Sequence, residues 1–219
     1  MIDFNDIKGV IFDADGTLFD SMWKWRLVET EYLEYLGLPP DPDVIDTLRV
    51  LNLEESAAYI QKECGISKST EEISGEINAM LEEFYSREVS LKAGVIPVLE
   101  TFSARGIKMC VATATERYLV ESALRHTGIH GYFGKVFTCG EENTSKNRPD
   151  IFIRAAGFLG TDICETLVIE DALHAIKSAK SAGFPVVGVY DQSADAHQDE
   201  IKWLCDVYIK SLDELMGRI

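Results

Sequence analysis

The chain has 219 residues, 46% hydrophobic and 26% charged, which supports a buried core in one or two domains and excludes a disordered chain. Lysine and arginine number 21 against 37 acids, a net charge of −16 that repels phosphate backbones and anionic lipid heads. Nucleic-acid and membrane partners are therefore disfavoured, and an anionic substrate would need local cations, a bound metal among them.

Residues 8–13, Lys-Gly-Val-Ile-Phe-Asp, read as a short buried strand closed by the turn signal Asp15-Gly16. Helical periodicity follows. Val28, Tyr32, Tyr35 and Leu36 share one face of a first helix, and Ile73, Ile77, Met80, Leu81 and Phe84 share one face of a later helix. Pro39-Pro40-Asp41-Pro42 breaks one helix and starts another, Gly65 ends a further one, and no strand is predicted between 21 and 91. After Gly94 the pattern alternates: a helix through Val95, Val98, Leu99 and Phe102, a strand at 107–112, a helix at 117–126, and a weaker strand at 135–138. A helix from about 150, a strand at 166–170, a helix at 172–182 and a strand at 185–189 continue it; helices near 195–204 and 211–216 flank an edge strand at 206–209.

Such alternation implies an α/β fold with a doubly wound, Rossmann-like parallel sheet covered on both faces. The first strand joins that sheet across an all-helical insertion of roughly 70 residues, too long for an ordinary connection. We therefore expect a core domain made of 1–20 and 92–219, and an inserted helical cap domain at 21–91.

Polar groups fall where the strands end, which is where open parallel sheets bind ligands. Asp13 and Asp15 follow the first strand, Thr113 the second, and Glu170 and Asp171 the fourth, while Lys146 lies in the loop after the third. Singly they have plain structural roles: Thr113 or Asp171 as a helix cap, Lys146 as a solvated amine, Glu170 as a partly exposed strand end. Together they suit phosphoryl transfer through a covalent intermediate. Asp13 is a competent nucleophile if its charge is screened. Mg2+, a hard cation bound by carboxylates, would sit on Asp13 and Asp171 with Glu170. Lys146 would neutralise charge, Thr113 and the backbone N–H groups after Asp13 would hold phosphate oxygens, and Asp15 would serve as general acid and then base.

These residues stand as Asp13-Ala-Asp15-Gly16-Thr17-Leu18-Phe19-Asp20-Ser21, Thr113, Lys146 with Pro149-Asp150-Ile151-Phe152, and Ile169-Glu170-Asp171 leading to Ala182-Gly183. In that order they resemble the haloacid dehalogenase-like hydrolase superfamily, and within it the phosphatases related to β-phosphoglucomutase. The resemblance spans essentially the whole chain. It implies Asp13 as nucleophile, Asp15 as acid and base, and Mg2+ held by Asp13, the main-chain carbonyl of Asp15, and Asp171, with Glu170 in or beside the shell. Asp15 sets the chain apart from the dehalogenase branch, which lacks that second aspartate.

The third motif departs from the family's Gly-Lys-Pro-x-Pro-Asp, reading Ser145-Lys146-Asn147-Arg148-Pro149-Asp150, so Arg148 becomes a candidate phosphate contact. Ala172 and Ala175 stand where the family often has Ser and Gly. Trp25 replaces a histidine, and Leu53 an arginine, of the related sugar-phosphate mutases, which favours a phosphatase over a mutase. Arg49, one helical turn before Leu53, could bind phosphate from another angle, and Trp25 and Ala114 are further candidate substrate contacts; Met22, Trp23, Lys24 and Trp25 equally suit aromatic packing. His126 and His130 are separated by Gly128 and form no site, and His174 is expected at the surface.

The expected protein is thus a Mg2+-dependent phosphatase of a small phosphorylated metabolite. The alternatives are a β-phosphoglucomutase-like mutase and a non-enzymatic phospho-acceptor or binding module of the receiver type. No stretch approaches the ~20 apolar residues of a membrane helix. The acidic first residues carry no secretory signal, and five scattered cysteines (Cys64, Cys110, Cys139, Cys164 and Cys205) suit reduced thiols, so a cytoplasmic monomer is expected.

Overall fold

A computed structural model of the protein describes residues 2–219 apart from 39, 40, 49, 50 and 52. Residues Gly9–Phe12 (β1) are buried along their whole length, as a strand covered on both faces requires. β1 pairs in parallel with Lys108–Thr113 (β2) on one side and Thr166–Glu170 (β4) on the other. Val136–Thr138 (β3), Val186–Val189 (β5) and Val207–Ile209 (β6) extend the sheet outward to the order β3-β2-β1-β4-β5-β6. The winding direction reverses between β1 and β4, so the loops after these two strands leave in opposite directions and open a crevice between them.

The sequence departs from the core after β1 into Met22–Tyr35 (α1), Pro42–Leu48 (α2), Leu53–Glu63 (α3) and Thr70–Glu83 (α4). It continues with Val95–Ala104 (α5), Arg117–His126 (α6), Asp150–Leu159 (α7), Leu173–Ser181 (α8) and Gln198–Leu204 (α9). Two units result, one made of Met1–Met22 with Val89–Ile219 and one of Trp23–Glu88.

In the sheet-bearing unit, alternation along β1 divides the core. Ile11 points to one face, among Cys110, Ala112, Val168 and Val186, where Ile151, Phe152 and Ala155 of α7 and Ala175, Ile176 and Ala179 of α8 cover it. Phe12 points to the other, edge-on to Phe102 of α5 at 6.4 Å and to Phe133 at 5.9 Å. The connections out of and back into this unit pair with each other: Asp20 N–H donates to the Ser90 carbonyl at 3.0 Å, and Phe19 forms an antiparallel bridge with Leu91. Among the described residues between 21 and 90 there is no strand.

In the helical unit, α4 opens with a capping box in which Ser69 accepts from the Glu72 N–H at 3.2 Å and Glu72 accepts from the Ser69 N–H at 2.7 Å. Its buried residues Ile73, Ile77 and Leu81 follow the predicted face. The face of α1 differs from expectation. Leu33 joins Val28 and Tyr32 inside, whereas Tyr35 is 69% exposed, stacking on Tyr32 with the Lys68 ammonium over its ring. The polar end of Tyr35 makes that amphipathic placement cheap. Two further corrections fall near the C-terminus. Gln192–His197 and Leu212–Leu215 are 3-10 turns, each begun by a side chain (Asp191, Ser211) that accepts the N–H two residues on; that local bond competes with an α-helical start. No helix among the described residues is long and apolar enough to cross a membrane.

Candidate active site

Asp13 leaves β1 with its N–H donating to the Ile169 carbonyl of β4 at 3.0 Å, so the first carboxylate is registered against the strand that delivers the next two. Asp13, Glu170 and Asp171 are all buried, and one oxygen of each lies within 4.8 Å of the others. Lys146, 5% exposed, reaches in from the loop between β3 and α7 and donates to Asp13 Oδ1 and, at 2.7 Å, to Glu170 Oε1. That loop is tied down on both sides: Arg154 of α7 pairs with Glu142 at 2.8 Å, and Arg117 of α6 donates to Glu141 at 2.6 Å. Residues 133 apart in sequence therefore meet in one buried cluster.

The electrostatics are crowded. Burial pushes the Asp13 carboxyl up to about 6, with Lys146 opposing the rise and Glu170 adding to it. Burial, then Glu170, Asp13 and Asp191, hold Asp171 well above the ordinary carboxylate value. Burial works against the Lys146 ammonium, but Asp13 and Glu170 outweigh it and hold its pKa above the ordinary lysine value. One lysine against three carboxylates leaves the cluster short of positive charge. An all-oxygen donor set, buried and within reach of one point, fits a hard divalent cation such as Mg2+.

The loop after Asp13 is shaped by Gly16, whose φ of +89° only glycine adopts readily and whose Cα lies flush on the Asp171 carboxylate. A Cβ there would sit 2.8 Å from Asp171 Cγ. Gly16→Ala is expected to lower stability by about 1–3 kcal/mol through backbone strain alone, measured by urea unfolding. An unchanged midpoint would show that the loop adapts freely. Thr17 completes the approach, donating to Asp171 Oδ1 at 3.2 Å.

Asp15 is gripped rather than free. Ser21 donates to its Oδ1 at 2.6 Å and Thr115 to its Oδ2 at 2.7 Å. Thr113, at the end of β2, accepts the Thr115 N–H at 3.0 Å and keeps its own hydroxyl proton for a further acceptor. Thr115 and the role of Ser21 were missed in the sequence. The signal was present in Thr113-Ala114-Thr115, whose period of two places both hydroxyls on one side.

Several of these residues do not take the plain structural roles open to them. Lys146 is not solvated, and Glu170 is 1% exposed rather than a partly exposed strand end. Asp171 does not cap α8; the residue before the helix is Ala172, whose N–H donates to Glu170 Oε2 at 2.6 Å. Among the outlying candidates, Ala114 is exposed beside Thr113. Arg148 is 74% exposed and paired with Asp150 at 3.1 Å. Trp25, in the helical unit, donates its indole N–H to the Tyr85 hydroxyl at 2.8 Å. Arg49 lies outside the described residues. His174 is exposed, as expected.

Known proteins share the sequence pattern and the fold. The sequence profile of the haloacid dehalogenase-like hydrolases matches residues 10–189. Protein CbbY of Rhodobacter capsulatus is 28% identical over 192 residues, covering 83% of this chain and 85% of that protein. Fructose-1-phosphate phosphatase YqaB of Escherichia coli K12 is 26% identical over 189 residues, 83% of this chain and 95% of that one. The fold superposes on a crystal structure of mutant CbbY from Rhodobacter sphaeroides in complex with xylulose-(1,5)bisphosphate, with a TM-score of 0.81 and 21% identity over 95% of this chain and 96% of that one.

Proposed function

The chain belongs to the haloacid dehalogenase-like hydrolase family, and we propose that it is a Mg2+-dependent phosphatase of a small phosphorylated metabolite, working through a phospho-Asp13 intermediate. The observation that carries this reading is the buried Asp13–Glu170–Asp171 cluster with Lys146 bonded into it. A relative named fructose-1-phosphate phosphatase supports a sugar phosphate as substrate.

Asp13, Asp171 and Glu170, with the main-chain carbonyl of Asp15, would hold the cation. When bound, it would supply the positive charge that lets an anionic nucleophile and an anionic phosphate approach each other. Asp13 then attacks phosphorus with one carboxylate oxygen while the bond to the leaving oxygen breaks. Lys146 stabilises the charge gathered there, and the Thr113 hydroxyl with the N–H groups beside Ala14 and Ala114 receives the phosphate oxygens. Asp15 gives a proton to the leaving oxygen and later takes one from the water that cleaves the acyl phosphate. Its two hydroxyl donors, Ser21 and Thr115, would have to release one oxygen for this. The inserted helical unit would act as a cap that excludes bulk water and selects the metabolite.

Leu53 and Trp25 support a phosphatase over a mutase, because no fixed cation at the first and no histidine at the second would retain a bisphosphate until it turns over. The test is a panel of phosphomonoesters, including fructose 1-phosphate and β-glucose 1-phosphate, assayed with Mg2+ and after chelation. The expected result is phosphate release that chelation abolishes. Conversion of β-glucose 1-phosphate to the 6-phosphate in excess of phosphate release would contradict it.

A further inference from the structure

Lys92 is where the chain settles back into the sheet-bearing unit after the helical insertion, and its side chain is only 15% exposed. Its ammonium has three N–H donors, and all three are engaged: Gly16 O at 2.7 Å, Tyr190 O at 2.8 Å and Asp191 Oδ2 at 2.8 Å. The same residue's backbone N–H donates to the Leu18 carbonyl at 2.9 Å. Two separate bonds from one residue thus hold the loop that follows Asp13.

What this loop touches gives the bonds their meaning. Gly16 lies against the Asp171 carboxylate, and its neighbour Thr17 donates to Asp171 Oδ1. A peptide plane that rotated at Gly16 would move both contacts at once. Asp191, 7% exposed, is the fourth buried acid of this region and close enough to raise Asp171. Its other oxygen accepts from Ser193 N at 2.9 Å and Ser193 Oγ at 2.7 Å, leaving Lys92 as the cation that screens it from the cluster.

We infer that Lys92 is a positioning residue for the divalent-cation site: by fixing the Gly16 carbonyl it holds the Asp13–Thr17 loop in register with Asp171. The inference rests on the cation site proposed above. A purely structural role would make Lys92 nothing more than the counter-ion of Asp191, and the two roles separate in a pair of variants. Lys92→Met leaves Asp191 buried without a partner, whereas Lys92→Met with Asp191→Asn removes both charges and leaves the local charge balance as it was. Neither variant has a donor for the Gly16 carbonyl.

Mn2+ binding is followed by electron paramagnetic resonance of the free ion, and thermal unfolding is followed in metal-free buffer. Lys92→Met is expected to lower Tm and to weaken Mn2+ binding by about 10–100-fold, the usual effect of losing a partner that orients ligands. The double variant is expected to recover Tm while its Mn2+ affinity stays weak, and it keeps the test decisive if the single variant does not fold. Recovery of Mn2+ affinity together with Tm in the double variant would overturn the inference. Failure of the unaltered protein to bind Mn2+ would instead overturn the cation site itself.

Discussion

Asp13→Asn is expected to reduce phosphate release by about 10⁴-fold or more, the scale of losing a nucleophile, while the protein stays folded. The amide is nearly isosteric and can still accept from Lys146, but it has no ionised oxygen to attack phosphorus. The same variant carries a stability signature. Because the folded carboxyl is raised from 3.8 to about 6, Asp13 contributes stability that is fully present below the lower value and lost as pH rises through the upper one. In metal-free buffer the Tm of Asp13→Asn should therefore gain on the unaltered protein between about pH 4 and pH 7. A gap that narrows over that range, or activity within tenfold of the unaltered protein, would reject the assignment.

Lys146→Met should be the most damaging change to stability. It removes the ammonium that bonds both Asp13 and Glu170 from a site where both carboxylates are under a tenth exposed. Breaking a buried pair in this way costs about 3–5 kcal/mol, which for a chain of this length is a fall in Tm of roughly 10 °C. Differential scanning calorimetry in metal-free buffer measures it. Lowering the pH should recover part of the loss, since the stranded carboxyls can then take up protons. A fall of under about 2 °C would show that Lys146 does not hold the cluster together.

The strands were readable in the sequence because each is short, apolar and bounded by turn residues, and β1 is buried at every position. The motif residues were readable for a related reason: they sit at strand ends, so the sheet order alone brings Asp13, Glu170 and Asp171 together. Tyr35 was misplaced because periodicity counts an aromatic ring as apolar without asking where its hydroxyl goes. The capping roles failed for Asp171 because its two strand-end neighbours drew it into the cluster instead of toward α8. Lys92 and Thr115 escaped because their importance lies in partners 99 and 100 residues away. No local pattern marks a lysine that will bond the Gly16 carbonyl, and only the pairing of the two connecting segments puts it there.

The proposed reaction turns on a covalent phosphoryl group on Asp13. It can be trapped by mixing the Mg2+-loaded enzyme with a turned-over substrate, quenching in acid before the first turnover ends, and mapping the adduct by peptide mass spectrometry. The expected result is a phosphoryl adduct on the peptide containing Asp13, absent from Asp13→Asn and decaying as phosphate appears. Full release of one equivalent of phosphate with no adduct at any quench time, or an adduct on another residue, would contradict it.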